Sequence, residues 1–465
     1  MYFEHIFDQT LAHSSYIIGC QVSGEALVID PKRDVDSYLQ IAQHNNLHIT
    51  HITETHIHAD YLSGSLELAE LTKAQLYLSD EGGADWQYQF PHIGLKHGDT
   101  IKIGNLVLEV IHTPGHTPES ISFLLTDKAA TEAPIMLFSG DFVFVGDVGR
   151  PDLLEAAAGI EGSKEIGAAQ LYDSLSKFRN LPSYVQVWPA HGAGSACGKA
   201  LGAVPSTTVG YELIRNWAFQ FGTNQEGFTE SLLADQPEAP RYFAQMKKLN
   251  KTLRPLVLSV PTYTHLSWAE VENYLQQGAQ LIDTREKSIF AKGHLPGALN
   301  IQHTKSFNTW AGWVIDYERP IILVAEDAET EALARKLMRI GLDRVVGYLR
   351  SADLMAQDTR LVSSKIIDFD TMKARLTDPE YQILDVRNNK EFEQGHLPGA
   401  KNIFVGHLLG ALDQLDRSKK IALHCQAGDR ATIAQSLLEA QGFEQVESYM
   451  PSMREWIEKE GPLVS

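Results

Sequence analysis

Residues 281–301, LIDTREKSIFAKGHLPGALNI, recur 102 positions later as residues 383–403, ILDVRNNKEFEQGHLPGAKNI. Asp283 pairs with Asp385 and Arg285 with Arg387, and the Gly-His-Leu-Pro-Gly-Ala block from Gly293 pairs with that from Gly395. One repetition is too short an array for a solenoid, so the pattern predicts two tandem domains of about 100 residues each. In each copy a helix leads in; Ser267 with Glu270 three residues on reads as a capping box. A short apolar strand follows (AQLID, YQILD), then the Gly-His-Leu-Pro-Gly turn, a second strand (PIILVA, KIALHC) and a helix starting near Glu329 or Ala431. Alternating β and α elements imply parallel sheets covered by helices, an α/β fold.

The repeat occupies the C-terminal half of a 465-residue chain, which is too long for one core. The segment PEAPRYFAQMKKLNKTLRP, 237–255, is Pro-bounded and reads as the join to an N-terminal unit. The expected domains are 1–245, 256–355 and 362–465. With 43% hydrophobic and 21% charged residues the chain is a folded globular protein. Its 59 acidic against 40 basic residues, a net charge of −19, argue against nucleic acid as a partner. No apolar run approaches the roughly 20 residues that span a bilayer, so no membrane association is expected. The start, MYFEHIFDQT, lacks a basic region followed by an apolar one, so no signal peptide is expected. Cys20, Cys197 and Cys425 are odd in number and far apart; they make no disulfide framework and point to a reducing, cytoplasmic location.

The N-terminal part concentrates metal-ligating side chains in order. THITETHIHADYLSG (50–64) carries His56, His58 and Asp60; TPGHTPES carries His116, FSGDFVFVGDVGR Asp141, and VWPAHGAGS His191. Each follows an apolar stretch, where strand ends would project side chains into one cleft. Imidazole with carboxylate suits Zn or Fe better than Ca or Mg. His112, four residues before His116, is a rival on spacing alone.

This order of motifs resembles the metallo-β-lactamase fold family over roughly residues 1–220, which implies an αββα sandwich with a metal at one edge. Hydrolases and oxygenases share that fold, and two details separate them. Glyoxalase II-type hydrolases usually place a second-metal His after HxHxD, where this chain has Tyr61. The stretch SGDFVFVGDVGRPDL resembles that of persulfide dioxygenases, which hold one ferrous iron on two His and one Asp. The resemblance implies His56, His116 and Asp141 as ligands of one Fe(II) per N-terminal domain, a facial triad with open positions for O2 and a substrate sulfur. It assigns His58, Asp60 and His191 to orienting roles around the ligands, and Arg150 to a carboxylate of the thiol carrier.

Cys425 sits in IALHCQAGDRAT, after an apolar strand and before a helix, on a loop with one Gly. Backbone N–H groups converging at a helix N-terminus stabilise a thiolate and bind oxyanions, and Arg430 at the rim suits a sulfonate or sulfite group. With LDVR and GHLPGA upstream, this loop resembles the rhodanese sulfurtransferases over roughly 362–465, whose Cys carries sulfane sulfur as a persulfide. The family often has Gly-Gly near the end, where this chain has Met450-Pro451-Ser452-Met453. In the first copy Ala325 stands at the nucleophile position, followed by Glu326 and Asp327, so 256–355 is expected to be an inactive rhodanese-like domain. Cys197, six residues after His191 on a Gly-rich loop, is read either as a small packing residue or as a thiol at the metal site that takes part in catalysis. Cys20 is read as core.

The combined resemblance implies a non-haem Fe(II) persulfide dioxygenase fused to a degenerate and an active rhodanese domain. It would oxidise a persulfide of glutathione, coenzyme A or a similar small thiol with O2 to sulfite, and rhodanese transfer would then make thiosulfate in sulfide detoxification. The alternatives are a zinc-dependent glyoxalase II-type thioester hydrolase and a non-oxygenase sulfur-relay protein. A homo-oligomer is expected.

Overall fold

A computed structural model describes residues 1–153, 155, 162–199 and 201–464. It separates into two compact units, Met1–Val260 with Met338–Gly341, and Pro261–Leu337 with Leu342–Ser465.

The first unit is an αββα sandwich. Strands Tyr2–Asp8, His13–Cys20, Glu25–Ile29, His48–Thr53, Gln75–Ser79 and Ile93–Leu95 form one six-stranded sheet in that order. The other runs Thr207–Thr208, Gln186–Pro189, Met136–Gly140, Ile121–Asp127, Leu106–His112, Thr100–Ile103. The strand His13–Cys20 is buried along its whole length because it sits between two apolar layers. Tyr16, Ile18 and Cys20 point into the core between the sheets with Leu108, Val110, Phe123 and Phe138. Ile17 points the other way, into a layer with Tyr38 and Ala42 of helix Asp36–His44 and Leu68 of helix Ser65–Thr72. The second sheet is covered on its outer face by helix Ser163–Arg179 through Ala168, Leu171, Leu175 and Phe178. Each of the Leu, Ile, Val and Phe side chains among these contributes roughly 1.5–3 kcal/mol on burial.

The sheets also decide where the polar motifs go. His48–Thr53 runs into the loop that bears His56, His58 and Asp60. Met136–Gly140 and Gln186–Pro189 are parallel neighbours, so the residues after them, Asp141 and His191, leave the same end of the sheet. His116 lies in the connection between Leu106–His112 and Ile121–Asp127. Gly140 has φ +58°, and a Cβ there would come 2.7 Å from Thr55 Cβ. Glycine therefore lets the strand end pass beneath the His56 loop before Asp141. The segment read from sequence as a join contains a helix, Tyr242–Lys251, whose Tyr242, Phe243, Met246 and Asn250 are buried in the first unit.

The second unit contains two all-parallel sheets. One has the order Leu299–Asn300, Gln280–Asp283, Ile321–Val324, Val345–Leu349; the other Lys365–Ile366, Val446–Ser448, Lys420–His424, Tyr381–Asp385, Ala400–Asn402. The Ser267–Glu270 capping box forms. The two copies pack on each other within this unit. Asn300 N–H donates to Ser436 Oγ at 3.2 Å, and the Trp313 ring meets Phe404 at 5.3 Å between centroids. Among the described residues no helix is long and apolar enough to cross a membrane.

Candidate functional site

His56, His116 and Asp141 come together with ligand atoms within 4.8 Å of one another, all buried. His116 Nε2 lies 3.4 Å and His56 Nε2 4.0 Å from Asp141 Oδ2. Neither carboxylate oxygen of Asp141 has a hydrogen-bond partner, although both are buried. An orphaned buried carboxylate costs several kcal/mol unless a cation meets it, so the set fits a divalent metal. Burial, and then the neighbouring histidines His58, His116, His191 and His13, hold His56 well below its usual pKa. Burial also lowers His116, against the opposing pull of Asp141. Neutral imidazoles are the form a metal takes.

The loop carrying His56 and His58 is held from three sides by residues that sequence reading missed. Asp30 accepts the Thr55 N–H at 2.7 Å and the Thr55 hydroxyl at 2.9 Å, and lies 3.0 Å from His58 Nε2. Burial works against charge on His58, but Asp30, Glu54 and Asp60 outweigh it and push its pKa up to about 9. Glu119 accepts the Ile57 N–H at 2.8 Å, and burial pushes that carboxyl up to about 7. Asn250, from the helix in the supposed join, donates to the carbonyls of His58 and Tyr61 at 2.7 Å each and accepts the Ser63 N–H at 2.9 Å. Contacts spanning almost 200 positions carry no spacing signal. Tyr61 itself is fully buried, its ring tilted against those of His13 and His58 with centroids 4.0 and 4.6 Å away.

A second group, Asp60, His191 and Cys197, adjoins the first. His191 Nε2 is 3.4 Å from Asp60 Oδ2 and 3.5 Å from Asp141 Oδ1, and both His191 Nε2 and Asp60 Oδ2 lack hydrogen-bond partners. Burial raises the Asp60 carboxyl. Cys197 is buried, and burial followed by the Asp60 and Asp141 carboxylates pushes its thiol well up. Arg150 is buried too; its Nε donates to Asp152 at 2.8 Å and its Nη1 to the Ala196 carbonyl at 3.0 Å. His112 is bonded to the Pro118 carbonyl and belongs to neither group. Cys20 packs in the inter-sheet core.

The Cys425 loop joins strand Lys420–His424 to helix Asp429–Ala440. Cys425 is only 1% exposed, and its Sγ accepts the Gly428 N–H at 3.0 Å. Its own N–H donates to Ser452 Oγ at 3.1 Å. Ser452 has φ +59°, a conformation that glycine adopts more readily, which is where the sequence departs from Gly-Gly. Arg430 is tied to Glu391 by two bonds of 2.5 and 2.7 Å. The site of the first copy differs: Ala325 is buried, and the loop continues into a turn in which Glu326 and Glu329 cap each other.

The metallo-β-lactamase superfamily profile matches residues 9–191, and the rhodanese-like domain profile matches residues 267–351 and again 368–459. A solved metallo-β-lactamase from Staphylococcus aureus subsp. aureus COL is 42% identical, with a TM-score of 0.68, over 75% of this chain and 98% of its own. Persulfide dioxygenase ETHE1, mitochondrial, of Bos taurus is 30% identical over 195 residues, 40% of this chain and 66% of the relative. Hydroxyacylglutathione hydrolase of Rhodospirillum rubrum is 33% identical over 178 residues, 38% of this chain and 60% of the relative. The chain thus spans 60% and 66% of the length of these two curated relatives. The chain belongs to the metallo-β-lactamase superfamily, with tandem rhodanese-like domains behind the metal-site domain, an organisation that fits a persulfide dioxygenase–rhodanese fusion.

Proposed function

We propose that the first unit is an iron persulfide dioxygenase and that Cys425 transfers sulfur to its product. The observation that carries this reading is the buried group of two imidazoles and one carboxylate with uncommitted oxygens. His56, His116 and Asp141 would hold the ion. A ferrous ion there supplies electrons to O2 and a Lewis-acidic site for the persulfide sulfur. The overall reaction balances as RSSH + O2 + H2O → RSH + SO3²⁻ + 2H⁺. His58, Asp60 and His191 would orient the ligands and hydrogen-bond bound water or substrate. Arg150 is assigned to the carrier's carboxylate, for which it would exchange Asp152. Cys197, buried beside Asp60 and His191, would be the thiol that meets a sulfur at this centre.

In the second unit the Cys425 thiolate attacks the outer sulfur of a persulfide, giving Cys425–S–S⁻ and RSH. Sulfite then takes that sulfur as thiosulfate and returns the thiolate. Tethering the two sites raises the local concentration of sulfite. The first copy, without a thiol, is assigned no transfer of its own. The reading places the chain in sulfide detoxification.

Zinc-dependent thioester hydrolysis is a second reading, favoured by the similarity to hydroxyacylglutathione hydrolase and by the adjoining Asp60–His191–Cys197 group. It consumes no O2. Oxygen uptake by iron-loaded protein given glutathione or coenzyme A persulfide separates the two. Uptake is expected, with a loss of at least about a hundred-fold in His116→Ala. Iron-loaded protein that turns over neither persulfide would overturn the dioxygenase reading.

A further inference from the structure

The sulfur of Cys425 is nearly sealed from water, so a negative charge on it depends on protein donors. The donor closest to it is the Gly428 N–H, at 3.0 Å. That N–H belongs to the same peptide group as the Ala427 carbonyl, and in a planar trans peptide the two point in opposite directions. Whatever fixes the Ala427 oxygen therefore also fixes the donor to the sulfur. The group that fixes it comes from the other copy: Lys287 Nζ donates to the Ala427 carbonyl at 2.9 Å and to Asp429 Oδ1 at 2.6 Å.

Two further features make this contact more than a surface ion pair. Gly428 has φ +95° and no side chain, so the peptide before it has little local resistance to flipping. A Cβ at Gly428 would meet Met450 O at 2.4 Å and Lys287 Nζ at 3.2 Å, so the loop is built around both neighbours. Lys287 is itself held: its backbone N–H donates to Gln302 Oε1 at 3.0 Å, and Gln302 Nε2 donates to Asp429 Oδ1 at 3.2 Å. The residue at the same place in the second copy is Asn389, so the arrangement is not a property of the repeat.

We propose that Lys287 of the first rhodanese-like copy is a positioning residue for Cys425, latching the Ala427–Gly428 peptide with its N–H on the sulfur. The copy without a thiol thereby completes the transfer loop of the copy that has one. The ammonium also polarises the peptide it grips, which strengthens the N–H bond at the other end. The inference rests on Cys425 being the sulfur-carrying nucleophile.

The test uses the full-length chain with Lys287→Met, Lys287→Arg and Cys425→Ser. Alkylation of Cys425 by iodoacetamide is followed by mass spectrometry against pH, and sulfur transfer from thiosulfate to cyanide is followed in parallel. The other charged groups about the loop, Arg430 with Glu391, His424 with Asp385, and Asp429, stay the same in both Lys287 variants. Lys287→Met is expected to slow alkylation near neutral pH about ten-fold and to move the curve upward by about one pH unit. It should lower kcat for transfer with KM within about two-fold, and Lys287→Arg should restore most of both. An unchanged alkylation curve in Lys287→Met, or an arginine variant as impaired as the methionine one, overturns the proposal. Cys425→Ser that still transfers sulfur overturns instead the reading on which it rests.

Discussion

In the first rhodanese-like copy Arg285 reaches Asp283 and donates to the Gly293 carbonyl at 2.9 Å; in the second, Arg387 reaches Asp385 and donates to the Gly395 carbonyl at 2.8 Å. Asn300 and Asn402 close the same turn by donating to the carbonyls of Asp283 and Arg285, and of Asp385 and Arg387. His294 stacks on Phe290 at 3.9 Å and His396 on Phe392 at 3.6 Å. One strand further on the copies part. After Ile321–Val324 the chain enters an acidic turn in which Asp327 accepts from the Tyr348 hydroxyl at 2.7 Å. After Lys420–His424 it wraps a thiol with a backbone donor. Buried ion pairs and turns are shared because both folds need them, while the loop at the sheet end was free to change. Likeness of scaffold is therefore no guide to likeness of chemistry.

Restoring the thiol is the sharpest way to break this contrast. In a Cys425→Ser background, Ala325→Cys should transfer sulfur at least about a hundred-fold more slowly than Cys425 does, because the acidic turn of Glu326, Asp327 and Glu329 follows it and disfavours a thiolate. Turnover approaching that of the native protein, in the thiosulfate–cyanide assay, would show that the thiol alone distinguishes the copies. The shared scaffold offers a smaller and symmetrical test. Arg285→Ala and Arg387→Ala each strand a fully buried aspartate, and each should cost about 3–5 kcal/mol in chemical denaturation. A cost confined to one copy would mean that the two pairs are not equivalent supports.

How much could be read from sequence follows the same division. The Asp-x-Arg and Gly-His-Leu-Pro-Gly elements announced two parallel-sheet domains because local turns and pairs need those residues at fixed spacing. His56, His58, Asp60, His116, Asp141 and His191 stand out because their motifs follow apolar stretches; the choice of His56, His116 and Asp141 among them comes from the resemblance, and the structure gathers those three. Asp30, Glu119 and Asn250 were not visible, since a side chain that braces a loop from a distant element has no local pattern. Asn250 lies in a stretch whose prolines and lysines read as a join, yet four of that helix's ten residues are buried. In the sequence, Arg430 suits a sulfonate or sulfite group, and the resemblance gives Arg150 a carboxylate of the thiol carrier. The structure shows Asp152, the Ala196 carbonyl and Glu391 already bound to them, partners that spacing does not reveal.

The most direct measurement is paired: oxygen consumed and sulfur products formed by iron-loaded native protein and by Cys425→Ser, each given glutathione persulfide. The native protein should consume O2 and yield thiosulfate. Cys425→Ser should consume O2 within about two-fold of the native rate and accumulate sulfite in place of thiosulfate. Thiosulfate formed undiminished by Cys425→Ser would contradict the division of labour between the two units, and an absence of O2 uptake in both would contradict the metal-site chemistry on which it depends.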